Sequence, residues 1–173
     1  MTIDDWWRGH PEERYWMIAP ARGVVGGALS APVSSEERRF EWSHELVGST
    51  RPGDTLFVWD RTLPVPGIAA WGRILGPLGQ ETRERRGRTM PHWRMPVSDT
   101  LRLETPITLP SLRRIGGEVV AVRRRVEALT EGPIYFPFIG SARTLAPAPA
   151  YLSKVPRDLV ALLSSRFGFE FAL

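Results

Sequence analysis

The seven tryptophans of this 173-residue chain are the side chains best suited to chemistry, and the chemistry they offer is binding. An indole gives a flat apolar face for a planar heterocycle, and its ring N–H needs a partner, which favours the boundary of a core. Trp16, Trp42, Trp59, Trp71 and Trp93 all fall on segments that read as regular structure. At least half of them should be core. A small domain cannot hide all five side by side, so the rest are expected to line a pocket, with Asp60 and Phe138 as further lining candidates. Stacking on such rings contributes about 1–3 kcal/mol per base. Ser34 and Ser35, at a loop–helix junction, suit hydrogen bonding to the edge of a flipped-out base, although Ser34 serves equally well as a helix cap.

Arginine supplies the second element. The chain has 22 Arg and a single lysine, Lys154. Guanidinium groups fork onto phosphates and stack on bases. Two clusters, Arg83, Arg85, Arg86 and Arg88, then Arg123, Arg124 and Arg125, are candidates for phosphate contacts on either side of the pocket. A solvated charged face, or a codon bias towards arginine, explains them equally. The net charge of +4 fits an anionic partner without requiring one.

The elements of catalysis are missing. There is no cysteine, hence no thiolate nucleophile and no sulfur-ligated zinc. His10, His44 and His92 are far apart and lack metal-pair spacing. Ser43 and His44 are adjacent, so their side chains diverge on a helix and cannot act as nucleophile and base. His44 reads as a semi-buried helix residue. The run from Gly23 to Gly27 lacks the Lys and Ser/Thr of a phosphate loop and departs from the dinucleotide pattern. No catalytic residue, metal or cofactor is therefore expected, and the chain reads as a non-enzyme.

The elements that must hold these residues follow from the patterning. Tyr15 to Ala19 is a compact apolar run and reads as a buried strand. Gly23 to Ala31 reads as a loop. Ser34 with Glu37 matches a capping box before a helix from about Ser35 to Val47, with Phe40, His44 and Val47 on one face and Gly48 as its stop. Pro52-Gly53-Asp54 is a turn into a strand from Thr55 to Trp59, and a third strand runs from Ile68 to Leu75. Gly76 to Thr89 reads as a charged loop. His92 to Val97 and Leu101 to Leu103 read as strand, Gly116 to Leu129 as a basic strand or helix, and Pro156 to Phe167 as a C-terminal helix with Pro156 in its first turn. Sixteen glycines and sixteen prolines favour short strands and turns. The expected fold is α+β: a small twisted β-barrel of about five to six strands with flanking short helices.

Length and composition fit one domain, with residues 1–12 as a tail whose Trp6 and Trp7 dock on the body or on a partner. The polar N-terminus has no signal-peptide layout, and no run approaches a membrane span, so a cytoplasmic location away from membranes is expected.

The order of segments resembles the EVE domain, a member of the PUA-like superfamily alongside the YTH and ASCH domains. The resemblance is carried by Tyr15-Trp16-Met17-Ile18, by Pro52-Gly53-Asp54 opening a strand to Trp59, and by the segment from Gly67 through Trp71 to Ile74. His92 to Val97, Pro106 to Leu112 and Gly132 to Leu145 agree with its later parts. It implies a PUA-like pseudo-barrel with an aromatic pocket for a modified base in DNA or RNA, sometimes beside a separate nuclease or other protein partner in modification-dependent restriction. The family often carries a tryptophan in the loop before the first helix. Here that loop reads Ala31 to Ser35, and the nearest indole is Trp42. Three other readings stay open: an RNA binder without modification specificity, a nucleoside-binding enzyme of the same superfamily, and a protein-interaction module using Trp6 and Trp7.

Overall fold

The computed structural model describes residues 6–19, 27–33, 42–85, 87–130 and 134–169. At its centre is a five-stranded sheet in the order β10-β1-β3-β4-β7, where β1 is Tyr15–Ile18, β3 Thr55–Asp60, β4 Gly67–Arg73, β7 Leu101–Thr108 and β10 Leu152–Val155. Only the β1–β3 pair is parallel; the others are antiparallel. A second sheet of three antiparallel strands, β2 (Ala28–Pro32), β6 (Arg88–Pro96) and β5 (Gly79–Arg85), is joined to the first by a bridge between Ile74 and Val97. A two-stranded ribbon pairs β8 (Phe138–Ile139) with β9 (Ala146–Pro147).

Strand alternation decides which residues meet which layer. Tyr15, Met17, Phe57 and Trp59 face one side. There they pack under α2 (Leu109–Arg114), α3 (Gly116–Glu127), α4 (Arg157–Phe167) and the β8–β9 ribbon. Trp16, Ile18, Leu56 and Val58 face the other side and meet Leu29, Ala31, Met95 and Val97 of the small sheet. A bulge where β4 passes Val58 and Trp59 keeps Ile68 and Ala70 on opposite faces.

This is an α+β fold, as expected, but the sheets do not close into a barrel. Ten strands are formed among the described residues, more than the five or six expected. The difference lies mainly in the small sheet. The stretch from Gly76 to Thr89, expected as a loop, is most of a β-hairpin with Gly87 in its turn at φ 70°. Its charged residues cover both faces, so it carries no apolar alternation for a sequence reading to detect. Part of the Gly23–Ala31 loop is likewise strand β2. The first helix is described only as α1 (Trp42–Glu45), followed by a 3-10 turn from Leu46 to Ser49 that includes Gly48. The capping box and Phe40 lie outside the described residues. The basic segment from Gly116 is helix, with Val119, Val122 and Val126 on its buried face. Trp7, in the expected tail, is buried against Trp16 and Tyr135.

Candidate functional site

At the end where β1 runs out, three elements bring polar and aromatic groups together. Ala19 donates its N–H to the Tyr151 carbonyl at 3.1 Å. The Tyr151 hydroxyl accepts from the Ser30 N–H at 3.0 Å, which ties β2 to the segment entering β10. The Tyr151 ring meets His44 of α1 edge-on, with centroids 5.7 Å apart. Both rings are half-buried, as is Trp93 on the neighbouring strand β6, where it pairs across from Ala31. Trp93 and Tyr151 pack on the same core cluster. The Trp93 Nε1 is buried yet finds no acceptor among the described residues. An orphaned ring donor of this kind costs stability.

Charge frames this corner. The Ser30 hydroxyl donates to Glu81 Oε1 at 3.3 Å, and the same carboxylate pairs with Arg83 and Arg94. Burial raises the Tyr151 hydroxyl above its usual pKa. The Ser30 hydrogen bond and the nearby Arg83 charge pull weakly the other way, keeping the group a neutral hydrogen-bonding phenol at physiological pH.

Several residues expected at a pocket are placed elsewhere. Trp16, Trp59 and Phe138 are each 1% exposed and belong to the core. Trp59 meets Phe138 edge-on at 5.8 Å beneath the helices. Trp16 is committed at both its edge and its face. Its Nε1 donates to Asp54 Oδ2 at 2.8 Å, and the Lys154 ammonium sits 4.5 Å over its ring. Neither can stack a ligand without the core opening. Trp71 is half-buried on the helix side of the large sheet, with the Arg73 guanidinium 5.7 Å from its ring centre. Asp60 caps its own turn by accepting from the Thr62 N–H and hydroxyl, and these bonds lower its pKa. Ser34, Ser35 and Arg86 lie outside the described residues. So do the side chains of Trp42 and Arg85, although Trp42 opens α1 and Arg85 ends β5.

The two arginine clusters do not share a surface. Arg83 and Arg88 stand on the hairpin of the small sheet, whereas Arg123, Arg124 and Arg125 lie on α3, across the large sheet. Arg123 reaches inward to the Phe138 carbonyl and Glu127, and Arg125 pairs with Asp158. Sequence reasoning missed Ser30 and Tyr151, and gave His44 no binding role. Tyr151 follows an Ala-Pro run that masked it, and Ser30 lay in what read as a loop. Among the described residues no group of His, Asp or Glu side chains could hold a metal, and no helix is long and apolar enough to cross a membrane.

An open five-stranded sheet, with helices on one face and a smaller sheet on the other, is a fold this chain shares with solved proteins of low sequence identity. A crystal structure of a Pseudomonas putida protein from a structural genomics programme is similar over 88% of this chain and 98% of its own, with TM-score 0.52 and 13% identity. Human THYN1, solved in complex with DNA containing 5-methylcytosine, is similar over 91% of this chain and 99% of its own, with TM-score 0.52 and 10% identity. No protein-family model and no curated protein matches the sequence.

Proposed function

We propose that this chain is a nucleic-acid-binding module that reads a modified base at the corner formed by Trp93, Tyr151, His44 and Ser30, and performs no chemistry on it. The observation that carries the reading is the half-buried Trp93 with its orphaned Nε1, in a fold shared with a protein solved on 5-methylcytosine DNA. A flipped base needs a ring to stack on and donors or acceptors at its edge. Trp93, the Tyr151 ring and the Ser30 hydroxyl are of the right types, and Ser34, Ser35 and Trp42 remain candidates to complete the wall. DNA is the favoured polymer on the same likeness, and a nuclease or other partner protein would supply any cleavage.

The test is titration of duplex DNA carrying a single 5-methylcytosine against its unmodified twin at several salt concentrations. The methylated duplex is expected to bind tighter at every salt. Trp93→Ala should weaken it by roughly 5- to 100-fold, the loss of one stacked base, with the thermal midpoint little changed. Equal affinity for both duplexes throughout overturns base reading and leaves a salt-sensitive backbone binder.

A further inference from the structure

We infer that the β5–β6 hairpin is a basic arm that enters the major groove of B-form DNA beside the candidate base site. This rests on the nucleic-acid reading above and adds to it a second, separable contact. Among the described residues β2 pairs with β6 only from His92 to Pro96, so no described strand flanks the rungs from Arg83–Met90 to Arg85–Arg88. With the turn at Gly87, this two-stranded ribbon extends roughly 10 Å beyond the small sheet. Arg83, Glu84, Arg88 and Thr89 are exposed, while Met90 anchors the root.

The tip is rich in positive charge: the backbone pairs positions 85 and 88 in its last rung, and the sequence has arginine at both. Arg88 has no ion-pair partner among the described residues. Between Gly79 and Pro91 the chain carries four arginines against two glutamates, and Glu81 is already held by Arg83 and Arg94. A polyanion complements this excess of positive charge.

Dimensions choose the polymer. A two-stranded ribbon fits the B-DNA major groove, which is about 12 Å wide and about 8.5 Å deep, whereas the A-form RNA major groove is too narrow for side chains to read. The root of the ribbon is tied to the aromatic corner through Glu81 and Ser30, and the Arg83 charge acts on Tyr151. Groove entry and base capture are therefore side by side.

The test compares the full chain with R83Q/R85Q/R86Q/R88Q, and with a variant in which Asn-Gly replaces residues 84–89 to close the hairpin early. The probes are DNA duplexes with and without one 5-methylcytosine, and an RNA duplex of the same sequence. Both variants should lose about 10- to 100-fold in affinity for either DNA at moderate salt. The slope of log affinity on log salt should fall by about three. The ratio between methylated and unmethylated DNA should stay as in the parent chain, and RNA binding should change by less than about twofold. Unchanged DNA affinity and slope, in variants with parental circular dichroism and thermal midpoint, overturns the arm. An equal loss for RNA overturns groove entry. If the parent chain shows no methylation preference while the variants still lose DNA affinity, the base reading fails and the arm stands.

Discussion

Lys154, the single lysine of the chain, is 1% exposed, its ammonium donating to the Glu13 carbonyl at 2.6 Å and the Tyr15 carbonyl at 3.2 Å. Burial outweighs the nearby Glu13 and Asp54 carboxylates and pushes its pKa down from 10.5 to about 8. The unfolded chain thus holds this proton where the native one has released it. Stability should rise with pH from about 8 until Tyr151, raised above 10 by burial, opposes it. Urea midpoints across that window check the climb, and Lys154→Met should flatten it. Asp54 is also buried, 3% exposed, accepting from Trp16 Nε1, Arg14 Nε at 3.0 Å and the Arg51 N–H at 2.9 Å. Asp54→Ala strands the indole donor and should cost about 2–4 kcal/mol in chemical denaturation.

At the scale of elements, the turn from Arg51 to Asp54 sets the entry to β3 and therefore the register of the parallel pair with β1. Its closing bond runs from the Asp54 N–H to the Arg51 carbonyl at 3.0 Å, and Gly53 sits at φ 86°, where L side chains are strained. A Cβ there would also lie 3.0 Å from Arg14 Nη2. Gly53→Ala should lower stability by about 1–2 kcal/mol, read from the shift of the thermal midpoint. Thr108 caps α2 by accepting from the Ser111 N–H. Thr108→Ala should cost about 1 kcal/mol in the same measurement.

For the whole molecule, the large sheet separates two positively charged regions that adjoin neither each other nor a single pocket. If DNA lies along the small sheet, R123Q/R124Q/R125Q should change DNA affinity by less than about twofold, although it removes three positive charges. Fluorescence anisotropy at matched salt checks this. A loss as large as that of the hairpin variants would place the duplex across both layers and overturn a footprint confined to one side.

The strands β1, β3 and β4, the turn at Gly53, helix α4 and the α+β class were legible in the sequence. Apolar runs, Pro-Gly punctuation and segment order are local signals that survive without neighbours. The β5–β6 hairpin was not, because a ribbon solvated on both faces shows no hydrophobic period. The indoles were visible as a set, but their sorting was decided by the fold. Trp16 and Trp59 occupy opposite faces of one sheet and are both sealed, a fate fixed by the layer above each strand rather than by the residues beside them in sequence. Tertiary structure alone brought Ser30, His44 and Tyr151 into contact, since residues so distant in the chain meet only when the sheets pack.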